Sequence, residues 1–268
     1  MDSISTNGSK SRRNHLEELD LLGYTLVEGA LPSSSLEPVR SKIDRLFELD
    51  LQEFGQTRLQ ELRELGTLRF PMVRDRYFLE LLSHPAILEI IEALLGPSCI
   101  LHLQNCIVLV PEKRHQQSAY HQDFRPYLNG ADVSFNAFVL VDDFTDENGG
   151  TYVVPGTHRL ARRPSEEFLE RHVRRITGPA GSVLFFDSRL WHRGGENHTT
   201  ERRRAVNHQY TAAFIRQQVD YAHCLPEEEY ATLPERTQQL LGRFVRLPRT
   251  SAEFRVEPER RLHRAGQF

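Results

Sequence analysis

Ile100-Leu101-His102-Leu103-Gln104-Asn105-Cys106-Ile107-Val108-Leu109-Val110 opens the part of the chain in which β-rich runs alternate with turn residues. Residues 135–141, 151–154, 182–186 and 205–214 repeat the pattern, punctuated by Asn148-Gly149-Gly150 and Pro155-Gly156. Short strands at this spacing predict a sandwich or barrel. Upstream the period changes. Behind Pro32 and Ser33-Ser34-Ser35, the residues Leu36, Val39, Ile43, Leu46 and Leu49 recur at helical spacing. A second helix is expected from Ser83, with Pro85 in its first turn and Gly96-Pro97 as its stop. Residues 21–27 read as a short strand after a helical turn, and helical composition returns from Pro226. Helices placed ahead of the strands imply helical cover on one side of the sheet. There is no internal repeat and no linker. The expectation is one domain over residues 16–268, mainly β with α cover, behind a polar, serine-rich, disordered tail at 1–15.

Composition excludes several classes. Of 268 residues, 39% are hydrophobic and 26% charged, as in ordinary globular chains, and a net charge of -3 gives no reason to expect nucleic acid. The basic patch Lys10, Arg12, Arg13 is too small to change that. Three cysteines (Cys99, Cys106 and Cys224) are an odd number without C-x-x-C spacing, which points to a reducing compartment rather than a disulfide framework. Residues 1–14 contain no apolar run of the kind a secretory signal needs, and no segment has the length to span a membrane. These readings together predict a soluble, cytoplasmic protein with no nucleic-acid or membrane partner.

The chemistry is concentrated in Tyr120-His121-Gln122-Asp123. Residues two apart on a strand face the same side, so His121 and Asp123 can aim an imidazole nitrogen and a carboxylate oxygen at one point. A facial triad needs a second histidine from elsewhere and leaves positions open for substrate and oxygen. His192 is the candidate, delivered at the end of the strand in Gly181-Ser182-Val183-Leu184-Phe185-Phe186-Asp187. The next strand, Arg203-Arg204-Ala205-Val206, begins with arginines, and an arginine there can grip a carboxylate through two parallel hydrogen bonds. Arg125, two residues after Asp123, and Tyr120 are further candidates for contact with substrate.

These landmarks, in order, resemble the phytanoyl-CoA dioxygenase family of iron(II)- and 2-oxoglutarate-dependent oxygenases, which includes ectoine hydroxylases. The carrying residues are His121-Gln122-Asp123, Asp146-Glu147-Asn148-Gly149-Gly150, Val154-Pro155-Gly156-Thr157-His158-Arg159, Gly181 to Asp187, His192 to Asn197, and Arg203. The resemblance implies a double-stranded β-helix, a cupin-like jelly roll with N-terminal helices packed on one sheet. It implies iron(II) held by His121, Asp123 and His192. It implies 2-oxoglutarate and O2 as co-substrates, with succinate and CO2 released as the substrate is hydroxylated. The distal carboxylate of 2-oxoglutarate would fall to Arg203, eleven positions after His192. Related halogenases have a small residue where this chain has Asp123, so halogenation is disfavoured. Where many relatives have a serine two positions after the second histidine, this chain has Gly194, and Thr151 is the expected substitute. Phe138 and Gln104 stand where relatives place residues near the keto acid, and Arg69 where they can present a basic residue to the substrate. Family breadth implies a secondary metabolite or amino-acid derivative as substrate.

Other readings start from the same residues. The same centre can end in desaturation, epimerisation or cyclisation. A jelly-roll protein that binds 2-oxoglutarate or another ligand without turnover is a third reading, and a zinc hydrolase a fourth. The intact triad together with Arg203 argues against the last two. Among the 12 histidines, His102, His115, His172, His198, His208 and His223 read as surface or hydrogen-bonded residues, and His158 as part of a structural turn.

Overall fold

The computed structural model describes residues 10–261 apart from 114 and 129. Helix α1 (Arg12–Leu22) is capped by the Ser11 side chain and ended by Gly23 at φ 83°, so it begins inside the segment expected as a tail; residues 1–9 lie outside the described residues. Strand β1 (Tyr24–Val27) follows, then α2 (Leu36–Phe54), α3 (Gln56–Glu61), β2 (Thr67–Arg69), α4 (Pro71–Arg74), α5 (Tyr77–Leu82) and α6 (Pro85–Leu95). The β-rich part carries β3 (Ile100–Leu109), β4 (Ser134–Leu140), β5 (Thr151–Val153), α7 (Glu166–His172), β6 (Arg174–Ile176), β7 (Val183–Asp187), β8 (His192–Arg193) and β9 (Arg203–Thr211). Three short helices close the described chain: α8 (Glu227–Ala231), α9 (Glu235–Leu240) and α10 (Ser251–Phe254).

Six strands form one antiparallel sheet in the order β1-β7-β4-β9-β3-β2, and three form a second in the order β6-β5-β8. Strand alternation divides the large sheet cleanly. Cys106, Val108, Ala137, Val139 and Val206 face the helices, packing with Val39, Ile43, Phe47, Phe78, Ile87 and Ile91. Ile107, Leu109, Phe138, Leu140, Leu184 and Ala205 face the other way and share a cluster with Val153 and Ile176 of the small sheet. The space between the sheets is therefore an inner face, and it holds the candidate site.

The expectation of a mainly β chain is corrected: the fold is mixed, with antiparallel sheets and more residues in helices than in strands among those described. The difference comes from α3, α4, α5 and the C-terminal helices. Their stability rests on packing against the sheet and on pairs such as Arg58–Glu61, not on a long apolar stripe. In α2, Leu49 is 38% exposed while Phe47 and Asp50 are buried, the latter paired with Arg74. No helix among the described residues is long and apolar enough to cross a membrane.

Candidate metal centre and anion pocket

His121 and His192 face each other across an isolated antiparallel bridge, with backbone hydrogen bonds of 2.9 and 3.1 Å exchanged between them. That pairing brings the ring centroids to 4.2 Å. Each ring is held by a local contact. Nδ1 of His121 lies 2.9 Å from the Ala119 carbonyl, and Nδ1 of His192 lies 2.8 Å from the Leu190 carbonyl. A carbonyl only accepts, so both Nδ1 atoms donate and both Nε2 atoms are turned toward Asp123 as the ligand atoms. Asp123 completes the group: its carboxylate oxygens are 3.6 Å from Nε2 of His121 and 3.7 Å from Nε2 of His192. All three ligand atoms lie within 4.8 Å of one another, close enough to hold one metal ion. Burial pushes His192 down to about 4, with the neighbouring His121 adding to the effect, so the ring is neutral and able to ligate at neutral pH. The second oxygen of Asp123 accepts a hydrogen bond from Nδ2 of Asn136 at 2.9 Å.

The same pocket contains a buried cation. Arg203 opens β9 on its inner face and is 2% exposed, with Nε and Nη1 lacking any partner. Its guanidinium lies 4.0 Å from the Phe144 ring. Burial lowers its pKa to about 9, against a smaller raising effect of Asp142, and it still remains charged at neutral pH. The neighbouring arginines point outward, as alternation requires. Arg204 makes paired 2.8 Å bonds to Asp44 and a 3.0 Å bond to Asp142, and Arg202 reaches Glu48 at 2.9 Å. A buried cation with two orphan donors is costly unless an anionic ligand completes it. Phe138, Thr151 and Phe186 line the space between Arg203 and the three ligating residues.

Residues 19–205 match the family model described as phytanoyl-CoA dioxygenase (PhyH). The chain belongs to the phytanoyl-CoA dioxygenase family. A Mycobacterium tuberculosis protein described as uncharacterized is 38% identical over 256 residues, 94% of each chain. Dioxygenase andF from Emericella variicolor is 28% identical over 181 residues, 64% of this chain and 62% of that one. The human peroxisomal phytanoyl-CoA dioxygenase is 20% identical over 226 residues, 71% of this chain and 65% of its own.

Of the positions that family resemblance suggested, Arg203, Thr151 and Phe138 share the pocket with the histidines and Asp123. Gln104 does not. It points to the helical face, where Nε2 donates to the Phe78 carbonyl at 2.8 Å, while its backbone N–H donates to Tyr221 Oη at 2.9 Å. Strand parity is the reason: Asn105, not Gln104, shares the inner face of β3 with Ile107 and Leu109. Arg69 pairs with Glu64 through two 2.8 Å bonds, and Nη1 lies 3.0 Å from the Asn105 amide oxygen in the satisfied amide orientation, so it is not free for a substrate. Arg125 is exposed and outside the pocket. Tyr120 alternates with His121 and packs outward against Val154, Leu169 and Trp191. At Gly194 an added Cβ would meet only the Gln117 carbonyl at 3.5 Å, so the family serine is sterically admissible there but absent.

Three residues of the site were not identified as such in the sequence, where His115 read only as a surface or hydrogen-bonded residue. His115 is buried in the pocket wall, its Nδ1 accepting from the Gln117 N–H at 3.3 Å and its Nε2 3.2 Å from Thr67 Oγ1. Burial first, then the nearby charges of Arg203 and His121, lower it to about 4. Asn136 and Asn207 are the others. Asn136 carried a signal, as a polar residue between the apolar positions of β4, whereas Asn207 did not, because β9 is itself largely polar.

Proposed function

We propose that the protein is an iron(II)- and 2-oxoglutarate-dependent oxygenase that hydroxylates a small molecule, and that its two sheets form the double-stranded β-helix of that class. The observation that carries this is the orphaned Arg203 guanidinium in one pocket with two histidines and a carboxylate. A hydrolytic zinc site has no use for that buried cation, and a plain binding module has no use for the cation and the three ligating residues together. Imidazole and carboxylate ligands suit iron(II), and a facial set of three leaves positions for a chelating keto acid and oxygen. His121, Asp123 and His192 would hold the metal. Arg203 would take the distal carboxylate of 2-oxoglutarate through charge-assisted bonds, with the Thr151 hydroxyl beside it in the role left vacant at Gly194. Iron with 2-oxoglutarate and O2 supplies the oxidising power, releasing succinate and CO2. The chain's own residues bind, orient and exclude: Phe138 and Phe186 wall the pocket with apolar surface, and His115 stays neutral so that Arg203 remains its cation.

An anaerobic absorbance titration tests the reading. Iron(II) followed by 2-oxoglutarate should give a visible charge-transfer band, absent in His192→Ala and weakened in Arg203→Ala. A folded wild-type protein that gives no band, yet binds another metal tightly, would refute it.

A further inference from the structure

We infer that Asn136 is a positioning residue that fixes Asp123 as a one-oxygen ligand, acting through a hydrogen-bond chain whose direction is determined at every link. The inference rests on the metal-site reading above. It starts from an unambiguous donor. An ionised carboxylate only accepts, so the Asn136 atom 2.9 Å from Asp123 is its NH2 group. That group therefore also donates to Asn207 Oδ1, at 3.0 Å. The Asn136 carbonyl oxygen is left as an acceptor, and the Ser188 hydroxyl donates to it. Ser188 in turn accepts from the Ser134 hydroxyl at 2.8 Å, and Ser134 accepts from Gln209 Nε2 at 3.0 Å. Asn136 and Ser188 are 0% exposed, so no water competes for these bonds.

Two consequences follow for the metal site. One carboxylate oxygen of Asp123, the one 3.7 Å from His192 Nε2, accepts from the amide, which fixes the carboxylate's rotation and makes the other oxygen, 3.6 Å from His121 Nε2 and free of that bond, the stronger ligand. In addition, the Asn207 amide is turned with its oxygen toward Asn136, so its NH2 group faces the pocket, where Asn207 is 7% exposed. Nothing in the local sequence around His121 and Asp123 supplies this restraint. The two histidines are held by carbonyls two residues away, whereas Asp123 depends on β4.

The test uses cobalt(II) alone as the probe, because its visible d–d bands report coordination as well as affinity. Asn136→Ala should weaken cobalt(II) binding by about 10- to 100-fold, the usual loss when a partner that orients a metal ligand is removed. Its d–d spectrum should also change, as Asp123 becomes free to bind through both oxygens. Ser188→Ala keeps the amide but frees it to rotate, and should give a smaller loss in the same direction. Tyr210→Phe, which removes a buried hydrogen bond to the Leu82 carbonyl on the opposite face of β9, should lower the melting temperature and leave affinity and spectrum unchanged. If wild type binds cobalt(II) while Asn136→Ala and Ser188→Ala match it in affinity and spectrum, the inference is overturned and the metal reading survives. If wild type binds neither cobalt(II) nor iron(II), the metal reading itself fails.

Discussion

Replacing Arg203 with methionine should stabilise the ligand-free protein while abolishing its response to 2-oxoglutarate. The opposite signs come from the environment of the side chain. Arg203 is 2% exposed, has two donors without partners and has no paired carboxylate. Replacing buried ionic groups by apolar residues of similar volume is neutral to stabilising by about 1–4 kcal/mol. The Phe144 ring 4.0 Å away offsets part of the gain, by about 0.5–2 kcal/mol. A net gain of about 1–2 kcal/mol in the apoprotein is expected, or roughly 2–8 °C in melting temperature for a chain of this size. Two charge-assisted bonds to a carboxylate, at about 1.5–3 kcal/mol each, are lost on the ligand side, which lowers affinity for 2-oxoglutarate by at least about 100-fold. Thermal unfolding of apoprotein with and without a fixed excess of 2-oxoglutarate and manganese(II) reads both effects, because a ligand that binds only the native state stabilises it by RT ln(1 + [L]/Kd), so a weaker ligand gives a smaller shift. Wild type should shift upward with the keto acid and Arg203→Met should not, from a higher starting point. A variant that is less stable without ligand and shifts as far as wild type with it would show that Arg203 is a structural cation.

Three further outcomes are expected. Thr151→Val, nearly isosteric, should weaken 2-oxoglutarate binding by about tenfold, the value of one hydrogen bond to a charged group, with an unchanged apo melting temperature; equal affinity would remove Thr151 from the site. Gln104→Leu orphans the Phe78 carbonyl and should cost about 1–3 kcal/mol in denaturant unfolding while keeping 2-oxoglutarate affinity within about twofold; a large affinity loss would put Gln104 back in the pocket. Asp187 is raised from 3.8 to about 6, first by burial, against the opposing Arg189 N–H and charge. Its native form thus holds a proton more readily than the unfolded chain, and its contribution to stability is present below about pH 4 and lost as pH rises through about 6. Asp187→Asn should accordingly be more stable than wild type by roughly 2–3 kcal/mol at pH 7.5, with the difference closing below about pH 4; a difference independent of pH would refute the assignment.

Much of the β-rich part was legible because strand alternation writes itself into the sequence. Residues 100–110, 135–141 and 205–214 match β3, β4 and β9 to within a few residues at each end. Arg203 was chosen by its family spacing from His192, parity set Arg202 and Arg204 on the opposite face, and the structure turns those neighbours outward to Asp44, Asp142 and Glu48. Gln104 failed by the same rule. Its placement followed family likeness, not the register of its own strand, in which Gln104 pairs with His208 on the helical side. The irregularity between Leu101 and Leu103 makes parity unsafe to count from the start of β3. His115 was not legible because no strand carries it; it enters the pocket through a contact with Thr67, 48 residues away. The short helices α3, α4 and α5 escaped notice because four to six residues are too few to show a helical period, whether polar as in α3 or apolar as in α5.

The site therefore has two parts that differ in how they are specified. The histidine rings are set by carbonyls two residues upstream, and this restraint persists wherever the His121–His192 bridge forms. Asn136 and Arg203 are set by the pairing of β9 with β4 and β3, in which Asn136 lies opposite Gln209 and Arg203 opposite Leu109. A slip of one residue in that pairing would turn Asn136 or Arg203 to the helical face and bury Val139 or Val206 in the pocket instead. The apolar sorting of this sheet, with Val139 and Val206 packed on helices and Phe138 and Ala205 inside, is what forbids the slip. The hydrophobic pattern that builds the core thus also selects which oxygen of Asp123 is free and where the buried cation points.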